Sequence, residues 1–179
     1  VGNNNRTVGK LFSLSANLPK FLEQFPDSKI LYIIRDPLSV IPSGLSLVTG
    51  VLDKRFSFWS LPEEKRNHFI NRLYHGLVQL LLRFHSDWTN GKIDKSRIMI
   101  VPFGRMMGDF DHLMTEIIEF IDHPTSENLK KDILETAEKQ RKFQSEHKYD
   151  LEKFNLSSQQ IKEDCKPIYE TFLNSKQTT

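Results

Sequence analysis

The sequence predicts an α/β domain with few strands, many helices and a short parallel sheet. Two short runs rich in β-branched residues, Ile30–Ile34 and Arg97–Val101, read as strands. The first is apolar without alternation, as expected for a strand buried on both faces. Segments with helical spacing flank both runs, and helices between strands imply parallel pairing. The 179 residues suit one domain spanning 1–179. Hydrophobic residues make up 38% and charged residues 27%, with a net charge of +2. That balance argues against a general nucleic-acid binder and leaves room for a local basic pocket that takes a small anion.

Residues 1–10, VGNNNRTVGK, are polar and without period, and read as a loop or frayed end. Leu18, Phe21, Leu22 and Phe25 sit at helical spacing with Asn17 as cap, which predicts a helix over Leu18–Gln24. After the first strand, Asp36 can cap a helix with Pro37 at its first position, and Val40, Ile41, Leu45 and Val48 supply the apolar stripe. Pro42 leaves two starts open: from Pro37, with a lost hydrogen bond inside the helix, or from a cap at Ser39.

Ser60-Leu61-Pro62-Glu63 has the form of a capping box. It introduces a long helix carrying Ile70, Leu73, Leu77, Leu81, Phe84 and Trp88, which Asn90-Gly91 ends. Phe110, Leu113, Ile117 and Ile121 mark a further helix that stops before Pro124. Another is expected from Ser126 to Lys142, and a last one from Ser157, where Ser157-Ser158-Gln159-Gln160 can form a capping box.

The chemistry concentrates at the end of the first strand. In open parallel sheets ligands gather at the carboxyl ends of the strands, where helix N-termini expose N–H groups. Arg35 occupies that place, and Ser43 follows eight residues later. A guanidinium is a permanently charged fork of donors that suits a phosphate. The same two residues also allow a plainer reading, with Arg35 as a surface cation or carboxylate partner and Asp36 as a helix cap.

The stretch FPDSKILYIIRDPLSVIPS resembles the 3′-phosphate-binding segment of the sulfotransferases that use PAPS (3′-phosphoadenosine 5′-phosphosulfate), where a Ser lies eight positions after the strand-ending Arg. RIMIVPFGRMMGDFDHLMTEIIEFID resembles the family's later strand and helix, although Phe103-Gly104-Arg105 stands where a tyrosine-acidic pair is usual. HKYDLEKFNLSSQQI, with His147, Tyr149 and Leu151, resembles the closing segment of the bacterial and Golgi-like branch.

The resemblance implies a P-loop-NTPase-like sulfotransferase fold and PAPS as co-substrate, with 3′,5′-ADP as product. It places Arg35 and Ser43 on the 3′-phosphate, sets Phe103 on the adenine side, and implies a small-molecule, carbohydrate or peptide acceptor. The family's Ser-Gly-Thr phosphosulfate loop has no counterpart here, and Gly9-Lys10 does not complete a Walker A pattern, because Asn4 and Leu11 stand at required positions. With Val1 in place of a methionine, the expectation is a domain truncated at its N-terminus. The catalytic base has no candidate, since Lys10–Lys29 holds no His and Glu23 falls on an exposed helix face. The competing readings are a non-catalytic binding or assembly domain of the same fold and a nucleotide-kinase-like phosphotransferase.

Other features bear on compartment and ligands. A single cysteine, Cys165, rules out an intrachain disulfide, and no apolar run approaches membrane-spanning length, so a cytoplasmic location is expected. His68 and His75 share a helix without metal-site spacing, and no metal is expected. Arg55, Phe56, Phe58 and Trp59 form a basic aromatic patch that either covers an acceptor or buries against the core. Arg141 and Lys142 fit the end of a helix, where cations are favoured, better than a contact with nucleotide.

Overall fold

The computed structural model describes residues 7–142 and 150–174; the predicted positions His147 and Tyr149 lie outside them. A 3-10 turn at Leu14–Asn17 leads into α1 (Leu18–Gln24), followed by β1 (Ile30–Ile34), α2 (Pro37–Phe56) and α3 (Glu63–Thr89). Then come β2 (Ile98–Pro102), α4 (Phe103–Gly108), α5 (Phe110–Phe120) and α6 (Glu127–Lys142). The described chain closes with α7 (Ser158–Asp164), α8 (Lys166–Ile168) and a π-helical turn over Tyr169–Leu173. The fold is mostly helical around a two-stranded parallel sheet, consistent with the α/β class expected.

β1 and β2 pair in register from Ile30 opposite Ile98 to Ile34 opposite Pro102. The crossover through α2 and α3 makes the parallel pairing possible. Along β1 the pleat sends Tyr32 and Ile34 into the core, where Tyr32 stacks on Phe84 of α3 with ring centroids 3.4 Å apart. Leu31 and Ile33 point the other way and are 39% and 52% exposed. The expectation of a strand buried on both faces is therefore corrected for β1: its core face packs against α2 and α3, while Leu31 and Ile33 on the other face stay largely exposed even though Val101, beside Ile33 on β2, is buried.

Two apolar clusters meet at the sheet. One joins Ile34 to Ile41 and Leu45 of α2, Tyr74 and Leu77 of α3, and Ile161 and Ile168 of the C-terminal helices. The other joins Leu18 and Leu22 of α1 to Phe84, Ile93 and Ile98. Tyr32, Ile100 and Phe172 touch both. α2 and α3 approach closely at Gly44, where a Cβ would lie 3.0 Å and 3.2 Å from the two methyl carbons of Leu77.

Helix starts follow local chemistry, with two departures from the sequence reading. Asn17 precedes α1 but makes no side-chain cap bond: it closes the preceding 3-10 turn, and Pro19 at the second helical position removes one of the two amides a cap could reach. The predicted capping box at Ser60 does not form. Ser60 ends a 3-10 turn over Phe58–Ser60, and Pro62 takes the cap position of α3, leaving Ser60 two residues too early. Glu63 and Glu64 supply the favourable negative charge in that first turn. Ser157 does cap α7, accepting from the Gln160 N–H at 3.1 Å, and Ser126 accepts from Leu129 N–H ahead of α6.

Arg97 fastens the edge of the sheet. Its Nε donates to Ser28 O at 3.1 Å, Nη1 to Leu22 O at 3.1 Å, and Nη2 to Phe25 O at 2.5 Å and Ser28 Oγ at 3.0 Å. One side chain thus ties the end of α1 and the entry to β1 to the start of β2. Charged donors to carbonyls are worth more than neutral ones, so Arg97→Gln should cost about 2 kcal/mol of stability. Urea unfolding with an unchanged slope and a lower midpoint would show it, whereas an unmoved midpoint would mean that water replaces these bonds without loss.

Candidate functional site

Arg35 leaves the carboxyl end of β1 directly after Ile34, which is buried. The register pairs Ile34 with Pro102, so the next residues, Arg35 and Phe103, emerge side by side. The Arg35 guanidinium carbon lies 4.4 Å from the centre of the Phe103 ring. A cation over a ring face is held without using its N–H donors. No ion pair formed among the described residues involves Arg35. Its charge therefore faces the strand-end surface with its donors available.

α2 begins at Pro37, which settles the two starts left open above and puts Pro42 inside the helix. Pro42 has no N–H for the Leu38 carbonyl. Asp36 is the cap: its Oδ1 accepts from the Leu38 N–H at 2.8 Å, and its carbonyl accepts from the Ser39 and Val40 N–H groups at 2.8 and 3.0 Å. The cap predicted at Asp36 therefore forms, and it uses the backbone amides of the first turn. With Pro37 lacking a donor and the next three amides engaged, an anion here must be met by side chains.

Those side chains lie along one line. Ser43 is seven residues beyond Asp36, about 10 Å along the axis and nearly on the same face, and Ser39 lies between them. Both serines are half-buried. Ser39, considered from sequence only as an alternative cap, is a second hydroxyl one turn closer to Arg35. Its spacing of four residues before Ser43 was the available signal.

The C-terminal helices brace this turn. The Tyr169 hydroxyl donates to Asp36 Oδ1 at 2.6 Å, and the Tyr74 hydroxyl donates to Asp164 Oδ2 at 2.5 Å. The Asp36 carboxylate is thereby engaged by an amide and a phenol, which reduces its opposition to an anion near Arg35. Burial and the neighbouring carboxylates push both tyrosines well above the ordinary phenol range. Nothing in the sequence marked Tyr169 as a partner of Asp36, 133 residues away.

Other candidates are engaged elsewhere. Arg105 donates to both carboxylate oxygens of Glu116 at 2.7 Å and to Asp109 Oδ2 at 2.8 Å, fastening α4 to α5. These bonds hold the carboxyls of Asp109 and Glu116 below their usual range. Asp109, Asp111 and His112 bring possible ligand atoms within 4.8 Å of one another. However, His112 Nδ1 bonds Asp109 Oδ1 at 2.7 Å, and Asp111 lies 3.7 Å from Arg141, so this set is satisfied by cations of the chain itself. Arg141 is accordingly paired with α5. In the aromatic patch, Phe58 is buried against the core while Phe56 is 71% exposed.

A model of the sulfotransferase family matches residues 1–127, a span that contains Arg35, Ser43 and Phe103. The chain belongs to the sulfotransferase family. The family's chemistry is the transfer of a sulfuryl group, with PAPS as its general donor. α7 and α8, which brace Asp36 and the core, lie outside the matched span. Neither the curated proteins nor the solved structures offer a match. No helix among the described residues is long and apolar enough to cross a membrane.

Cys165 lies behind the site, fully buried between α7 and α8. Burial pushes its thiol up to about 11 from an ordinary 9.0, helped by the carboxylates of Asp164 and Asp36. Between these values the native thiol keeps a proton that the unfolded chain releases, so its contribution to stability is present below pH 9 and lost as pH rises towards 11. Iodoacetamide at pH 8 should label Cys165 only once denaturant is added, and the urea midpoint should fall between pH 9 and 11. Rapid labelling of the native chain would contradict the burial of this thiol.

Proposed function

We propose that this sulfotransferase-family chain takes PAPS as sulfuryl donor and binds its 3′-phosphate through Arg35 and Ser43, with the adenine beside Phe103. The observation that carries the proposal is the uncommitted Arg35 guanidinium at the end of β1, steadied by the Phe103 ring. Ser43 supplies a hydroxyl from the second turn of α2, and Ser39 adds one from the first. Because the amides at the start of α2 are engaged, the guanidinium carries most of the recognition.

In the reaction, an acceptor hydroxyl or amine attacks the sulfur in line. The new O–S or N–S bond forms as the bond from sulfur to the bridging oxygen breaks, and 3′,5′-ADP leaves. The acceptor proton passes to a base, and charge building on the bridging oxygen is met by positive groups. The proposal assigns to this chain the end of the donor remote from the sulfur. The domain is read as a single sulfotransferase unit over residues 1–179.

Calorimetry with 3′,5′-ADP tests the subsite. Charge-assisted bonds of 1.5–3 kcal/mol predict that Arg35→Ala weakens binding about 10- to 150-fold, and a neutral hydroxyl bond predicts a smaller loss, about fivefold, for Ser43→Ala. 5′-AMP, which lacks the 3′-phosphate, should bind as weakly to the parent chain as to Arg35→Ala. Equal affinity of parent and Arg35→Ala for 3′,5′-ADP would remove Arg35 from the site.

A further inference from the structure

The C-terminal half of α2, the 3-10 turn at Phe58–Ser60 and the N-terminal half of α3 enclose a surface cavity of about 710 Å³. It lies away from the strand-end site. Leu52 and Phe56, which line it, follow Ser43 by nine and thirteen residues, roughly 14 and 20 Å of helix. Its size falls in the range of pockets that hold one small organic molecule, about 300–1,000 Å³.

Its chemistry is divided. The apolar wall is made by Leu52, Phe56, Phe58, Leu61, Phe69 and Leu73. Several of these are apolar groups left open to water, with Phe56 at 71% and Leu61 at 40% exposed. Lys65, His68 and Arg72 complete the lining and recur at three- and four-residue spacing on α3, so they form one stripe along the cavity. No carboxylate contributes to the lining. None of the ion pairs among the described residues uses any of the three basic side chains.

We infer that this cavity binds a single amphipathic organic anion of the alkyl carboxylate class, of about ten carbons. The carboxylate head meets the Lys65, His68 and Arg72 stripe, and the alkyl body lies against Phe56, Leu61 and Phe69. Unpaired cations beside exposed apolar wall select against alkyl cations by repulsion and against alcohols by leaving the stripe without a counter-charge. The concave shape takes one molecule rather than a bilayer. The inference stands without the nucleotide reading, because the two sites share no residue.

Calorimetry on the chain with decanoate, decanol and decyltrimethylammonium, all below their aggregation limits, is the direct test. One decanoate should bind per chain, at least tenfold tighter than the other two. Lys65→Gln combined with Arg72→Gln removes two exposed charge pairs and should weaken decanoate about tenfold while leaving decanol unchanged. Phe56→Ala should weaken both, and Arg35→Ala should leave decanoate binding intact, which separates this site from the 3′-phosphate subsite. All of these positions are surface-exposed or half-buried, and a thermal melt of each variant confirms the fold. Decanoate binding no tighter than decanol, decanoate binding indifferent to the double variant, or attachment to phosphatidylserine vesicles without binding of monomeric decanoate would each overturn the inference.

Discussion

The pairing of β1 with β2 in parallel register is the constraint on which the strand-end site depends. Ile34 opposite Pro102 means that both strands end at one level, and Arg35 and Phe103 leave them together. A shift of one residue would turn Ile34 and Tyr32 out of the core and carry Arg35 away from the ring. The Arg97 bonds to the end of α1 and the entry of β1 oppose such a shift, as does the Tyr32–Phe84 stack. The guanidinium thus owes its position to main-chain pairing some residues away, and its freedom to donate to the use of a ring face in place of a carboxylate.

A second constraint runs from the C-terminus. α7 packs against α2 and α8 against α3, and the turn after α8 delivers the Tyr169 hydroxyl to Asp36. The capping carboxylate is held from both sides, by the first turn of its own helix and by a residue outside the span that matches the family. This links the fold of the last helices to the geometry at the strand end. It also accounts for the buried Cys165 and the raised tyrosines as members of one tightly packed corner.

Much of the architecture was legible in the sequence because it follows from local periodicity. β1 runs over Ile30–Ile34 as predicted, α1 over Leu18–Gln24, and α3 carries its apolar residues at the predicted spacing. What the sequence did not reveal depends on contacts between distant segments. An apolar run such as ILYII does not tell how many faces will be covered, and Leu31 and Ile33 show that one is open. The serine of a capping-box pattern gains its role only if the helix starts next to it, and Pro62 displaced that start. At the strand end, the sequence singled out Arg35, Ser43 and Phe103. The Arg35–Phe103 contact needed the register, the engaged amides needed the Asp36 geometry, and Tyr169 needed the tertiary fold.

Arg35, positioned by strand register and steadied by Phe103, is the group proposed to receive the nucleotide's 3′-phosphate. The most direct measurement is the Nε–Hε resonance of Arg35 during titration with 3′,5′-ADP, assigned by its loss in Arg35→Lys. This resonance is expected to shift and exchange more slowly with 3′,5′-ADP and to stay in place with 5′-AMP. Saturation of the chain with 3′,5′-ADP while the Arg35 resonance remains unmoved would contradict this role.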